Sequence, residues 1–413
     1  MARQTPNADY DVIIAGGGMV GTSLALALAT LDLRIAVVEA VPRREAEQPS
    51  FDERSTALSR SSQRLFTALG LWEDIVAAAT PIRSIHVSDK GRFGFSHIDA
   101  EEQGVEALGY VVINRVLGSV LQQALDECAH VDVLCPARIT HADMVPGLRT
   151  VTAESNGEER TLTCKLLVAA DGARSQVRDM LGLSASHTDY GQRAIIGNLL
   201  TELPVDNRAF ERFTEDGPVA MLPIRDQRTA FVWIMTADAA DAAMVLSDDE
   251  FVARLQSAFG NRLGEFSRIG KRSAYPLWLS KANELTADRA VLVGNAAHGL
   301  HPVAAQGFNL GLRDVATLSD CIRDAMDADD FDPGADELLY RFADWRRADQ
   351  KKLVRFTDGI VRLFGSGRPP VRAMRDLGML GFDLIPGVRR LFARHTMGLA
   401  GRLPRLSRGV PLT

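Results

Sequence analysis

Six residues near the start of the chain, Gly16-Gly17-Gly18-Met19-Val20-Gly21, fit the pattern G-x-G-x-x-G. Each glycine has a mechanical reason. Gly16 allows a tight turn, Gly18 lets the backbone approach a pyrophosphate, and Gly21 lets a helix pack closely on a strand. Glu39 lies 18 residues after Gly21, where a carboxylate accepts hydrogen bonds from ribose hydroxyls. An acid there disfavours a 2′-phosphate, so the pattern reads as a site for FAD or NAD rather than NADP. A glycine pattern alone is weak; its weight comes from the elements that must hold it.

Those elements are legible in order. Tyr10–Ala15 (YDVIIA) is a short apolar, β-branched run that predicts a buried strand. Thr22–Leu31, rich in Ala and Leu, predicts a helix, and Arg34–Val38 predicts a second strand ending at Glu39. The phosphates would then sit at the helix N-terminus, where free N–H groups and the dipole favour anions. Lys165–Ala170 predicts another buried strand, ended by Asp171-Gly172-Ala173-Arg174-Ser175 and then Val177-Arg178. Ala290–Val293 predicts a fourth, followed by Gly294-Asn295-Ala296-Ala297-His298 and His301-Pro302. A helical stretch from Gln306 to about Ala325 comes next, with Gly307 and Gly311 flanking Asn309.

At these residues the chain resembles the single-component FAD monooxygenases of the para-hydroxybenzoate hydroxylase type. The marks of that family are a glycine fingerprint, a mid-chain Asp-Gly motif and a late G-D-A-x-H-x-x-x-P segment. Within it, the run GNAAHGLHPVAAQGFNLGLRD and the tail MGLAGRLPRLSRG are similar to the ubiquinone-biosynthesis hydroxylases, in the 2-polyprenyl-6-methoxyphenol hydroxylase branch. The likeness runs from residue 10 to 413.

The resemblance implies FAD as cofactor and NAD(P)H as co-substrate. It implies FAD-contacting roles for Gly16, Gly18, Gly21, Glu39, Asp171, Gly172, Asn295, Pro302, Gly307 and Asn309. Arg54 matches a family arginine near the flavin, and Arg115 one on the adenosine side; each also reads as a surface ion pair. The N-terminus of the late helix can face the flavin pyrimidine edge, where negative charge accumulates on reduction. Two positions depart from the family. Asn295 replaces the commoner Asp and hydrogen-bonds without charge. Ala305 stands where Gly is usual, and its methyl either crowds the loop or demands a negative φ.

The fold implied is α/β: a Rossmann-like FAD-binding domain with an inserted antiparallel β-sheet substrate domain and a C-terminal helical segment. The FAD-binding domain is expected over 1–80, 111–180 and 283–345, the substrate domain over 81–110 and 181–282, and a basic helical region over 346–413. Strand candidates in the insertion are Ala194–Leu200, Ala209–Thr214, Ala220–Ile224 and Ala230–Thr236, with Ile82–Ser88 and Arg92–Ile98 as a further pair. Phe213, Met221, Leu222 and Trp233 are candidate roof residues of an apolar substrate pocket, or else plain sheet core.

The chemistry implied is hydroxylation of a polyprenylated phenol with O2, through a flavin C4a-hydroperoxide. The protein need not supply a nucleophile; it must exclude water and stabilise charge. His298 and His301 are candidate proton handlers or loop-shaping residues, and no catalytic base is named. A monooxygenase of a small soluble aromatic, a flavin-dependent polyprenyl reductase, and a non-catalytic flavin- and lipid-binding component of a biosynthetic complex stay open as alternatives.

Composition sets the remaining bounds. The chain has 413 residues and a formal net charge of −6. The charge is uneven: residues 346–413 carry +11 and residues 1–345 carry −17. An acidic body argues against a nucleic-acid partner. Arginines interleaved with apolar residues in the tail suit a peripheral membrane or lipid-complex contact, or helices packed on the acidic body. No run reaches the length of a spanning helix, no signal peptide is recognised, and Cys128, Cys135, Cys164 and Cys321 lack metal spacing. A cytoplasmic protein is expected, peripheral to the inner membrane, with a multiprotein ubiquinone-biosynthesis complex and a homo-oligomer as candidate assemblies.

Overall fold

The computed structural model describes residues 8–42, 54–91, 95–225, 227–299, 306–349 and 386–413. The chain folds as α/β, with three sheets among these residues. The first sheet has eight strands. Its parallel centre runs Ala290–Leu292, Glu158–Ala169, Tyr10–Ala15, Ile35–Val38 and Val131–Leu134. Tyr10–Ala15 is buried along its whole length between two parallel neighbours, which is why it reads as an unbroken apolar run rather than an alternating one. The helix after it spans Met19–Ala29, three residues ahead of the expected start, because Gly18 is its N-cap. Helices Asn114–Asp126 and Gln306–Ala325 pack on it. The strand Glu158–Ala169 begins earlier than expected; its polar first half pairs antiparallel with Leu148–Ser155, which pairs in turn with Arg138–Val145.

The second sheet has nine strands. From one edge it runs His298–Gly299, Ser273–Ala282, Ala185–Thr201, Arg228–Thr236, Gly217–Pro223, Arg208–Thr214, Ser84–Asp89 and Phe95–Asp99, with Phe266–Ser267 beside Ala185–Thr201. Its pairs are antiparallel except one. Arg208–Thr214 and Ser84–Asp89 run parallel, because they come from distant segments with no hairpin between them. The inserted sheet is thus antiparallel apart from this one seam.

The two faces of this sheet meet different partners. Ile195, Leu199, Phe210, Val219, Met221, Phe231, Trp233 and Met235 pack against helices Ala237–Met244 and Asp248–Phe259 through Ala240, Ala243, Phe251, Leu255 and Phe259. On the other face Ala209, Ala230 and Leu222 meet Ile82, Val111 and Ala57. Ala57 and Val111 belong to the third sheet, Ser55–Ser59, Gly109–Ile113 and Thr80–Ile82, which lies between the two larger ones and has no signature in the sequence.

Residues 336–349 are helical, and helices Pro386–Thr396 and Arg405–Arg408 follow.

Candidate active site

The glycine loop is built as its spacing requires. Gly16 adopts φ +103°, and a Cβ there would meet the Ala170 carbonyl oxygen at 2.6 Å. A Cβ on Gly21 would lie 2.0 Å from the Gly16 carbonyl oxygen, so the helix can sit this close to the strand only without a side chain. No side chain caps the helix at Gly18 and no acid occupies its first turn, which leaves the N-terminus suited to an anion. Thr22 Oγ1 donates to the Gly17 carbonyl at 3.0 Å and stiffens the loop. The Glu39 carboxylate accepts from Gly17 N–H at 2.6 Å and from Val41 N–H at 2.7 Å. Glu39 thus stands beside the glycine loop, as a ribose-binding acid must.

The late motif is locked to this loop by shape. Gly294 has φ +59°, and Cβ atoms on Gly294 and Gly311 would come within 3.1 and 2.9 Å of the two Val20 methyls. Val20 is therefore wedged between two glycines from the late segment. Asn295 is exposed beside this wedge and free to face a ligand. The mid-chain motif joins from the other side. Asp171 accepts from Ser175 Oγ and from Val177 N–H at 3.1 Å, and Gly172 takes φ +88°. Buried Arg178 donates to the Ala296 carbonyl at 3.2 Å, tying this turn to the late one.

Below the late turn lies a charged network that the sequence reading missed. Asp314, 1% exposed, accepts from Gly294 N–H at 2.9 Å, from Arg346 Nε at 2.6 Å, and meets His298 Nε2 at 2.6 Å. Burial alone would push its carboxyl up. The His298 and Arg346 charges outweigh burial and hold it below the usual carboxylate range. His298 thus shapes the loop from beneath. Arg346 also reaches Asp349 at 2.9 Å, and Arg313 pairs with the same carboxylate at 3.0 Å. Arg313 then donates to the carbonyls of Gly398 at 2.7 Å and Ala400 at 2.8 Å. Arg402 lies 3.8 Å over the Trp345 ring, and Arg405 pairs with Asp320 and Asp324 at 2.6 and 2.7 Å. These tail arginines grip the helix that carries the late motif. The signal was present as three acids, Asp314, Asp320 and Asp324, in the helix that follows the late motif.

The remaining expected residues fall in three groups. Asn309 accepts at its side-chain oxygen from Ser59 N–H (2.8 Å) and Ser62 Oγ (2.7 Å), and its amide donates to the Ala57 carbonyl at 2.8 Å. It fastens the late helix to the strand Ser55–Ser59. Gly307 opens that helix with space around it, and Arg115 is exposed in the first turn of Asn114–Asp126. Arg54 stacks its guanidinium 4.8 Å from the Tyr275 ring, bridging the middle sheet to the nine-stranded one. Pro302, His301 and Ala305 lie outside the described residues, as do tail residues 350–385.

Two of the four roof candidates are corrected. Met221 and Trp233 point into the helix-covered face, away from the glycine loop and the late helix. Both faces of this sheet are covered, so apolar character does not distinguish them, and the large aromatics take the side with helices to fill. Leu222 is on the face toward the middle sheet. Phe213 has the parity of Ala209 and shares that face. Among the described residues no group of three or more metal-ligating side chains occurs.

The glycine loop, the uncapped helix, Glu39 and exposed Asn295 fit an FAD molecule lying along them. The comparisons agree. The FAD binding domain family matches residues 9–357. The chain is 38% identical to ubiquinone hydroxylase UbiL of Rhodospirillum rubrum, over 97% of this chain and 93% of that one. It is 31% identical to 3-demethoxyubiquinol 3-hydroxylase of Escherichia coli, over 95% of this chain and 100% of that one. In structure it is similar to p-nitrophenol 4-monooxygenase PnpA from Pseudomonas putida, with TM-score 0.78 and 19% identity over 95% of this chain and 98% of that one. It is also similar to OxyS anhydrotetracycline hydroxylase from Streptomyces rimosus, with TM-score 0.72 and 22% identity over 96% and 77%. The chain belongs to the FAD-dependent aromatic hydroxylases, in the group formed by the ubiquinone hydroxylases.

Proposed function

We propose that this enzyme hydroxylates the ring of a polyprenylated phenol on the route to ubiquinone, using FAD, NAD(P)H and O2. The observation that carries the reading is the 38% identity over 97% of the chain to a protein named as a ubiquinone hydroxylase. Bound FAD supplies the redox chemistry, passing electrons from NAD(P)H to dioxygen. The chain supplies the rest. The Gly16–Gly21 loop and helix Met19–Ala29 would hold the pyrophosphate, Glu39 the ribose, and Asn295 the ribitol side. On the side of the nine-stranded sheet toward the middle sheet, partly exposed Leu222 offers an apolar contact for an aromatic ring beside the packed Ala209 and Ala230.

A substrate with a long prenyl chain resides in a bilayer, and one tail element suits that surface. Helix Pro386–Thr396 exposes Arg390, Leu391 (60% exposed) and Arg394 on its open side. Arg389 is held by Glu102 at 3.3 Å, so the helix is moored to the body while this edge stays outward. Among the described residues no helix is long and apolar enough to cross a membrane, so the contact would be peripheral. The deciding experiment is quinone-intermediate analysis in cells lacking the protein. A prenylphenol short of one ring hydroxyl should accumulate. An unchanged quinone pool, with NAD(P)H oxidation by the pure enzyme stimulated only by small soluble phenols, would refute the reading.

A further inference from the structure

Glu211 is an acid where the fold gives it no partner. It sits mid-strand in Arg208–Thr214, and its parity places it on the same face as Ala209, toward Ala57 and Val111 of the middle sheet. Its cross-strand neighbours are Ala220 on one side and Val87 on the other, neither of which offers a polar side chain. Among the described residues no donor or cation meets its carboxylate. Other enclosed acids are served: Asp11 by Lys165 at 2.8 Å, Asp314 by Arg346, Asp320 by Arg405. Protein atoms crowd Glu211, and it keeps part of its surface accessible to a small molecule. Leu222 and Phe213 lie on the same face, opposite the strand that Asn309 fastens to the late helix.

An unpartnered enclosed carboxylate destabilises a fold, so a purely structural role explains it poorly. We propose that Glu211 accepts the hydrogen bond of the substrate's phenolic hydroxyl and takes its proton during hydroxylation. The O–H bond breaks, and its electron pair moves into the ring. The ortho or para carbon then forms the C–O bond to one oxygen of O2 as the O–O bond breaks, and the other oxygen leaves as water, its two electrons supplied by NAD(P)H through the flavin. The resulting dienone loses its ring C–H proton to solvent, and the carbonyl oxygen regains a proton from Glu211 as the ring becomes aromatic. This restores the carboxylate and rests on the hydroxylase reading above.

The electrostatics suit the role. Burial pushes the Glu211 carboxyl up to about 7. A base matched to neutral pH is the most effective kind. A phenol titrates near ~10, so transfer is uphill before oxygen arrives and becomes favourable only as the ring gives up electrons. Among the described residues, Asp89 on the neighbouring strand and Arg54 over Tyr275 are charged groups on this side of the sheet. The upward shift of Glu211 has burial as its cause, with no contribution from either.

The test uses the holoenzyme with 2-geranylphenol, comparing wild type, Glu211→Gln and Glu211→Asp. Glu211→Gln should lower kcat by about 100-fold, leave KM within a few-fold, and abolish the acidic limb of the kcat profile. Its flavin content should be unchanged and its thermal midpoint above neutral pH equal or higher. Glu211→Asp should keep the limb at reduced rate. Independently of turnover, infrared difference spectra across neutral pH should show a protonated-carboxyl band in wild type that is missing in Glu211→Gln. If Glu211→Gln does not fold, the Asp variant decides: a titrating band and a slowed rate with the limb support the role, and a wild-type rate overturns it. Turnover of 2-geranylphenol by wild type with Glu211→Gln equally fast refutes this proposal alone. Absence of turnover by wild type refutes the hydroxylase reading, and this proposal with it.

Discussion

Replacing Asp314 by Asn should expose how much of the fold around the late turn rests on one carboxylate. Asp314 is 1% exposed and joins Gly294 N–H, His298 and Arg346. Asparagine keeps the shape and an acceptor for Gly294, and it removes the charge. Breaking a buried ion pair by removing one partner typically costs ~3–5 kcal/mol, because the other charge is left uncompensated. Here Arg346 retains Asp349 at 2.9 Å, which places the expected loss at the low end, ~3 kcal/mol. With a slope of ~3 kcal/mol/M for a chain of this size, the urea midpoint should fall by ~1 M. The pH dependence gives a second arm. The Asp314 carboxyl is held below its ordinary range, burial opposing and the His298 and Arg346 charges prevailing. Its stabilisation is therefore complete above the unfolded value of ~3.9 and is lost as pH falls through the lower folded value. Wild type and variant should differ at neutral pH and converge in acid. A midpoint change equivalent to less than ~0.5 kcal/mol at neutral pH, or a gap that persists undiminished in acid, would refute the electrostatic argument.

Three further outcomes follow from the geometry. Gly21→Val should give a colourless protein and lose ~1–3 kcal/mol, since even a Cβ would sit 2.0 Å from the Gly16 carbonyl oxygen; flavin absorbance and urea melts read both effects. Arg405→Ala, which frees Asp320 and Asp324, should lower stability by ~1 kcal/mol at low salt and less at high salt, because the guanidinium is partly exposed. Arg390→Glu should weaken flotation with phosphatidylserine vesicles by several-fold, from ~1 kcal/mol per surface arginine, with flavin content unchanged.

The cofactor half of the molecule was legible because its rules are local. Gly16, Gly18, Gly21 and Glu39 sit at spacings fixed by one strand, one turn and one helix, and the geometry follows from the order. The substrate half was legible as a sheet and not as a site. Residues 228–236 alternate Ala230, Val232 and Ile234 with Phe231, Trp233 and Met235. Both sets are apolar because the sheet is covered on both faces, so parity was plain and its direction was not. Of the four roof candidates, Leu222 and Phe213 fell on the face toward the middle sheet and Met221 and Trp233 on the face under the helices. Glu211 carried a clue in Ala209-Phe210-Glu211-Arg212-Phe213, an acid on the parity of two apolar residues. The middle sheet had none, since three short strands that pair across distant segments depend on long-range contacts. The basic tail showed as a charge imbalance; which acids its described arginines meet depends on a return path that no local pattern encodes.

The Val20 wedge has a consequence for how such a chain can change over time. Positions 20, 294 and 311 share one small volume, with the two Val20 methyls within 3.1 and 2.9 Å of where side chains on the glycines would begin. A larger residue at 311 becomes tolerable only after position 20 shrinks, while Gly294 is kept by its φ of +59° as well, so the order of substitutions matters as well as their sum. In a population of drifting sequences, Ala at position 20 should come first and act as the permissive step. A library that randomises positions 20 and 311 together should return functional variants with constant summed side-chain size and glycine retained at 294, where single-site libraries return almost none at either glycine.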